Sequence, residues 1–320
     1  MEMRRVPGCG LALPVVGIGC NNFGGRSGLE ETRAVVHRAL DLGITYFDTA
    51  DVYPTTSRGQ SEVLLGQVLG ARRKDAIIGT KFGIPMGDGQ SAGAARRYIV
   101  SAVEASLKRL GTDWIDLYQL HRPDPHTPLH ETLRALDDLV RAGKVRYVGC
   151  SNFAAWQMVD AHWVARELGS DGFVSCQNEY SLLNRGLDRE LIPAMAAFGK
   201  GLLPYFPLAG GMLTGKYKPQ AELPSGSRFA KTKVFADMFM TERNWAIVQR
   251  LEEFCAARGH SMVELAFSWL AARPAVWSVI AGASTPAQVE QNAKAVAWQL
   301  TADDLAEIDR LTEAEAPAEH

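Results

Sequence analysis

The chain has 320 residues, 47% of them hydrophobic and 22% charged, with a formal net charge of −2. Such a composition buries a large core without any signature of disorder, and the near-neutral balance argues against nucleic acid or an anionic membrane surface as a partner, which leaves small molecules. Five widely spaced cysteines, Cys9, Cys20, Cys150, Cys176 and Cys255, with no CxxC pair, suggest neither a disulfide framework nor a zinc site and fit a reducing cytoplasm.

Residues 1–14 are rich in Gly and Pro and read as a small hairpin. Arg4 and Arg5 precede an apolar stretch there, but glycines and prolines interrupt it, and no apolar run reaches the roughly 18 residues of a membrane span. Short β-rich runs follow at 15–20, 45–50, 76–82, 115–121, 145–151, 173–179, 201–207 and 277–283. Between them lie amphipathic stretches such as "LEETRAVVHRALDLG", "AARRYIVSAVEASLKRLG", "LHETLRALDDLVRAGK" and "AAWQMVDAHWVARELG". These end in Gly43, Gly111, Gly143 and Gly169, where a residue just past a helix turns left-handed. Eight βα repeats without a break in composition predict an α/β fold, a (β/α)8 TIM barrel forming one domain over 1–320. Open doubly wound sheets share the alternation. The segment 209–233 reads as a long loop after the seventh strand, and 301–320 as an added helix capped by Thr301 with a frayed acidic end.

A barrel builds its active site at the C-terminal ends of its strands. Here the second, third and fourth strands end at Asp48, Lys81 and His121, and Tyr53 lies in the loop after the second. Adjacent strands about 4.8 Å apart let these four meet at one mouth. Taken singly, each has a plain structural reading: an aspartate ending a strand, a tyrosine packing a loop, a solvated lysine, a loop histidine satisfied by backbone groups. Together they suit proton transfer at a carbonyl. A free tyrosine titrates near pH ~10, and an ammonium about 4 Å away is worth on the order of 4 kcal/mol at an effective dielectric near 20. Lys81 is therefore expected to lower the Tyr53 pKa by about a unit or more. Asp48 would hold Lys81 in place, and His121 would orient a substrate oxygen. His121, His126 and His130 invite a metal reading, but "HRPDPHTPLH" is broken by three prolines and lacks the HExxH spacing, so no metal is expected.

The stretches "GITYFDTADVYP", "GQSEVLLGQVL", "TKFG", "LYQLHRPDP", "VGCSNF", "QNEYSLLNR", "YFPLAGGMLTGKY" and "VIAGASTPAQVEQN", in this order over nearly the whole chain, resemble the aldo-keto reductase superfamily. The resemblance implies a barrel that binds NADP(H) across its mouth, with NAD(H) open as a second cofactor, and reduces aldehydes or ketones by direct hydride transfer without metal. Its catalytic tetrad falls on Asp48, Tyr53, Lys81 and His121. It further implies Ser151, Asn152 and Gln177 on the nicotinamide carboxamide and Tyr205 stacked on its ring. Phe206, Pro207, Leu208 and Gly210, with Lys216 and Arg228, would line the pyrophosphate. Gly282, Ser284, Thr285, Gln288, Gln291 and Asn292 would take the adenosine end, and Gly19, Cys20 and Asn21 would border the cofactor beside Asp48. Many relatives carry Arg or Lys where this chain has Thr285, and glutamate where it has Gln291, so a modest preference for NADPH over NADH is expected.

The residues lend their own support in two places. A glycine-rich loop carrying Lys216 and Arg228 can close over a pyrophosphate, and the helix start in "GASTPAQVEQN" favours an anion, although a plain Ser/Thr cap accounts for it as well. "GIGCNNFG" lacks the third glycine of a dinucleotide fingerprint, and "GGMLTGKY" puts Tyr217 where a P-loop needs Ser or Thr. Phe23, Tyr53, Phe82 and His121 are the substrate-pocket candidates. Asn22 and Phe23, Phe82 to Asp88, "RPDPHTPLH" and the acidic tail are the loops that would select a small carbonyl compound; no motif specifies an oligomeric state. Two other classes stay open: an NADP(H)-sensing regulatory subunit with weak reductase activity, and a metal-dependent barrel hydrolase.

Overall fold

The computed structural model describes residues 1–5, 8–87, 92–219, 221–224 and 227–313, without the side chains of Arg228 and Lys231. Residues 1–14 form the expected hairpin, β1 (Met3–Arg5) antiparallel to β2 (Ala12–Pro14). Eight parallel strands follow: β3 (Val16–Gly19), β4 (Tyr46–Asp48), β5 (Ile77–Phe82), β6 (Ile115–Leu120), β7 (Val145–Ser151), β8 (Phe173–Gln177), β9 (Gly201–Leu202) and β10 (Val279–Gly282). Each lies inside a run read from the sequence. They neighbour one another in the order β10, β3, β4, β5, β6, β7, β8, β9. The ring closes where Leu202 N donates to Ala275 O at 2.8 Å, Trp277 N to Leu202 O at 2.8 Å and Ile280 N to Pro204 O at 3.1 Å. This is the (β/α)8 barrel.

The helices are α1 (Leu29–Asp41), α2 (Gln60–Leu69), α3 (Arg96–Leu110), α4 (Leu129–Arg141), α5 (Ala155–Glu167), α6 (Leu191–Ala197), α7 (Arg228–Lys231), α8 (Lys233–Phe239), α9 (Glu242–Arg258), α10 (Met262–Ala272), α11 (Pro286–Lys294) and α12 (Ala302–Thr312). Gly43, Gly111, Gly143 and Gly169 follow their helices with φ of 76°, 62°, 75° and 66°, as expected. Outward strand residues such as Phe47, Ile78, Tyr118 and Cys150 pack with Val36, Leu65, Val103 and Leu136 of the helices in one core. Each such buried side chain of Val or Leu size is worth about 1.5–3 kcal/mol.

A second, smaller core sits inside the ring and includes Leu13, Tyr46, Leu117, Val174, Leu203 and Trp277. The hairpin supplies Leu13 to it, with Leu11 packed against it. Trp277 Nε1 donates to Arg4 O at 2.9 Å, while the Arg4 guanidinium donates to Val276 O at 3.1 Å and Ala271 O at 2.7 Å. The hairpin thus stoppers the end of the barrel where the strands begin, and polar groups collect at the other end.

The stretch 209–233 is more structured than the loop expected of it. A 3-10 turn covers Ala209–Thr214, and α7 and α8 follow. Their aromatic rings explain the order: Tyr217 stacks on Phe229 at 4.6 Å between centroids, and Phe206 meets Phe235 at 5.5 Å and Phe239 at 5.9 Å. Helix α12 carries the expected Thr301 cap, reinforced by Asp304, and Asp309 is tied to Arg185 and Arg273. Asp88 and the acidic tail 314–320 lie outside the described residues. No described helix is long and apolar enough to cross a membrane.

Candidate active site

Side chains alternate in direction along a strand, and the parity that points Asp48 and Lys81 into the barrel also points in Tyr46, Gln119, Ser151 and Gln177. The parallel register sets Lys81 opposite Gln119, Gln119 opposite Gly149, and Ser151 opposite Gln177. Asp48 Oδ2 accepts from Lys81 Nζ at 2.6 Å. Its Oδ1 accepts from Gln177 Nε2 at 2.9 Å, Gln119 Nε2 at 3.2 Å and the Tyr46 hydroxyl at 3.3 Å. Lys81 Nζ also donates to Thr49 O at 2.8 Å. Lys81 has no exposed surface. Burial alone would lower its pKa, but Asp48 and then Tyr53 more than reverse this, and the ammonium is held above its ordinary range.

The loop after β4 is pinned along β5, with Thr49 N donating to Gly79 O at 2.8 Å and Asp51 N to Lys81 O at 3.1 Å. That brings the Tyr53 ring over Lys81 Nζ, 5.1 Å from ring centroid to nitrogen, and edge-on to the His121 ring at 5.7 Å. The four residues expected at one mouth do meet. The expected net lowering of Tyr53 does not occur: burial raises its pKa more than Lys81 lowers it, and Asp48 and Asp51 add to the rise. The Lys81 ammonium is the largest charge favouring the phenolate, but Asp48 and Asp51 oppose it and burial outweighs it. Tyr53 is therefore held as a protonated phenol at neutral pH. His121 is pushed the other way, down to about 3, by burial first and then by the charges of Lys81 and Arg122. Its imidazole is neutral, and its buried Nδ1 has no hydrogen-bond partner among the described residues.

Beside His121 lies a connected polar patch. Asn152, at φ 61°, donates through Nδ2 to His121 O at 3.0 Å and Ser151 Oγ at 3.0 Å. Ser151 Oγ donates to Gln177 O at 2.8 Å, and the Tyr205 hydroxyl to Asn152 Oδ1 at 2.8 Å. Past Tyr205 the backbone turns left-handed at Phe206, Ala209, Gly210 and Gly211, around Pro207 and Leu208. Ala209 N and Gly211 N are taken up by Phe206 O and Leu208 O, each at 2.8 Å, so an anion would meet the remaining amides of the turn. Lys216 Nζ lies 3.4 Å from where a Cβ on Gly211 would stand.

At the start of α11, Thr285 Oγ1 accepts from Gln288 N at 3.3 Å, Gln288 Oε1 from Ser284 N at 2.7 Å, and Ser284 Oγ from Asn22 Nδ2 at 3.4 Å. Here Thr285 and Gln288 serve as caps. Asn292 donates to Gly282 O at 3.4 Å. Exposed Gln291 lines a cavity of about 310 Å³ with Ser261, Glu264, Glu290 and Lys294.

Some expected residues are placed elsewhere. Cys20 is fully buried; its N donates to Asp48 O, its O accepts from Ser61 Oγ, and its thiol from within contacts Ile18 O, so it offers a cofactor nothing. Its neighbours Gly19 and Asn21 keep partial exposure. Phe23 and Phe82 have no exposed surface and are not pocket walls. Phe82 follows Lys81 and so faces outward, stacked on Tyr118 at 4.6 Å. Phe23 is folded under by a turn in which Asn22 O accepts from the amides of Gly25, Arg26 and Ser27. The side chain of Arg228 lies outside the described part. His126 and His130 are exposed, and among the described residues no group of three His, Cys, Asp or Glu could hold a metal.

Three features escaped the sequence reading. Tyr46 and Gln119 share Asp48 with Lys81, and strand parity was the available signal. Behind Tyr53, Asp51 is buried, and among the described residues its carboxyl oxygens have no side-chain hydrogen-bond partner. Burial and then Glu62 lift its pKa to about 8 against Arg109, while Glu62 itself accepts from Arg109 Nε at 2.6 Å and Thr80 Oγ1 at 2.6 Å.

Residues 15–313 match the sequence profile of the Aldo/keto reductase family. The L-glyceraldehyde 3-phosphate reductase of Escherichia coli (strain K12) is 35% identical, over 97% of this chain and 92% of its own. A probable voltage-gated potassium channel subunit beta of Oryza sativa subsp. japonica is 34% identical, over 92% and 91%. The versiconal hemiacetal acetate reductase of Aspergillus parasiticus is 32% identical, over 95% of each. With a barrel of the expected topology and a match over nearly its whole length, the chain belongs to the aldo/keto reductase family of oxidoreductases.

Proposed function

We propose that the protein reduces an aldehyde or ketone at the expense of NADPH, with NADH as a weaker alternative, and that Tyr53 gives the proton. The observation that carries this reading is the buried Asp48–Lys81 pair beneath a protonated Tyr53, with the neutral His121 ring at its edge. When bound, the dihydronicotinamide supplies a hydride. The neutral imidazole of His121 donates a hydrogen bond to the carbonyl oxygen and orients it toward Tyr53. As negative charge builds on that oxygen, the Tyr53 hydroxyl transfers its proton, and Lys81, kept charged by Asp48, stabilises the phenolate that is left. A positioned acid contributes about 10²–10⁴ in rate.

The donor set fits such a cofactor: Ser151, Asn152 and Gln177 for its carboxamide, Tyr205 for its ring, and the left-handed turn with Lys216, joined by Arg228, for its pyrophosphate. Gly282, Ser284, Thr285, Gln288, Gln291 and Asn292 would carry its adenosine end. The reductase names of two relatives, an aldehyde phosphate in one and a hemiacetal acetate in the other, support a small carbonyl substrate. Five free thiols support a reducing compartment, the cytoplasm, and the unbroken βα repetition supports one domain. The channel-subunit name of another relative favours NADP(H) sensing as the second reading.

The test is aldehyde-dependent oxidation of NADPH by the wild type and by Tyr53→Phe, with cofactor binding measured alongside. The variant should bind NADPH as tightly and turn over about 10²–10⁴-fold more slowly. Full activity in Tyr53→Phe would return the tyrosine to a packing role, and tight binding without any turnover in the wild type would favour the sensor.

A further inference from the structure

Below the rim, the barrel interior is hollowed for two polar side chains that no step above requires. Tyr46 and Gln119 have no exposed surface. Their donors converge on one atom, Asp48 Oδ1, from 3.3 Å and 3.2 Å. The space they occupy is opened by three strand glycines, none of which has a left-handed φ. A Cβ on Gly17 would stand 2.6 Å from Tyr46 Cδ1, one on Gly79 2.6 Å from the Tyr46 hydroxyl oxygen, and one on Gly149 2.6 Å from Ser175 Oγ and 3.2 Å from Gln119 Cγ. Glycine inside a strand weakens it. Gln119 adds a second cost, because its buried Oε1 has no partner among the described residues. Leu117, Val174 and Leu203 show that apolar side chains fill the rest of this interior. A layer that gives up stability in three glycines and an unsatisfied amide is expected where function demands it.

We infer that Tyr46 and Gln119 are positioning residues for the proton transfer: they hold Asp48 Oδ1 so that Oδ2 stays on Lys81 Nζ and the ammonium stays beneath Tyr53. This deepens the reductase reading and rests on it. Gln177 is a third donor to the same oxygen, but it belongs to the residues proposed for the cofactor and is not a clean probe. The other titratable groups that face Asp48 are Lys81 from β5, Tyr53 from the following loop and Cys20 after β3. Burial pushes the Cys20 thiol and the Tyr46 phenol well above their ordinary values, so both keep their protons through the working range.

The experiment assays intact Gln119→Met, Gln119→Glu and Tyr46→Phe on an aldehyde that the wild type reduces, with NADPH affinity and Tm measured on each. Gln119→Met should lower kcat about tenfold, the effect of losing a hydrogen bond to a charged group, leave the NADPH Kd within about twofold, and keep or raise Tm, since an unsatisfied amide has gone. Tyr46→Phe should lower kcat about threefold with the same pattern. Gln119→Glu should be slow at alkaline pH and recover as pH falls, because the carboxyl donates to Asp48 again once protonated. Wild-type kcat in Gln119→Met and Tyr46→Phe, a loss of kcat that follows a loss of Tm, or no acid recovery in Gln119→Glu would overturn the inference while the wild type still reduces the aldehyde. A wild type that reduces no aldehyde would overturn the reductase reading and this inference together.

Discussion

The floor of the mouth and its roof are built on different terms. Asp48, Lys81, Gln119 and Gln177 stand on four strands, are almost wholly buried, and are joined at 2.6 to 3.2 Å. The roof, from Phe206 to Lys216 and from Ser284 to Asn292, mixes buried residues such as Ala209, Met212 and Leu213 with half-exposed and exposed ones, turns left-handed at Phe206, Ala209, Gly210 and Gly211, and in Ser284, Thr285 and Gln288 bonds mainly to itself. Proton transfer fails when donor and acceptor move by about an ångström, whereas a long ligand is gripped by parts that adapt around it. Substitutions should divide accordingly, the floor setting kcat and the roof setting cofactor affinity and choice.

The sharpest division is expected at the ion pair. Lys81→Met should lose about 10² or more in kcat and cost about 3–5 kcal/mol of stability, because it strands a buried carboxylate. Asp48→Asn should act through Lys81, so the double variant should be far less damaging than the two single losses multiplied. Steady-state kinetics and denaturant melts on all three check this, and simple multiplicativity would break the floor into independent parts. On the roof, Thr285→Arg should raise the NADPH to NADH ratio of kcat/KM about tenfold; an unchanged ratio would show that the residue only caps α11. Lys216→Ala should raise the NADPH Kd about fivefold with kcat kept, and fluorescence titration reads it.

The smallest effect concerns stability and pH behind the floor. The folded chain holds a proton on Asp51 up to about pH 8, whereas an unfolded aspartate releases it near pH ~3.9. Its contribution is thus fully present below the unfolded value and is lost as pH rises through the folded one. Asp51→Asn should melt a few degrees above the wild type at alkaline pH and alongside it in acid.

Much of the floor was legible because strand ends are marked by turns and the barrel sends them to one place. Asp48, Lys81 and His121 needed only that rule. Phe82 was misread although the same alternation that aims Lys81 inward sends its neighbour outward. Gln119 was missed although it stands two residues before His121 on the same run; parity gives its direction, but that it reaches Asp48 follows only from the register with Lys81. The raised Tyr53 pKa depends on how deeply the loop is pinned, which no local pattern encodes. α7 and α8 are held by rings brought together from Phe206 to Phe239, and their own segments are too short to declare themselves as helices.

The stopper at the other end has a consequence for synthesis. Arg4 finds its carbonyl partners at Ala271 and Val276, and Trp277 returns a hydrogen bond to Arg4. A ribosome moving at about 5–20 residues per second therefore delivers the hairpin on the order of tens of seconds before these partners at 271–277 are made. Through that interval Arg4 lacks both carbonyl partners, and the last strand region made brings the residues that fasten the first pair of strands. In this barrel, translation order and closure order run in opposite directions.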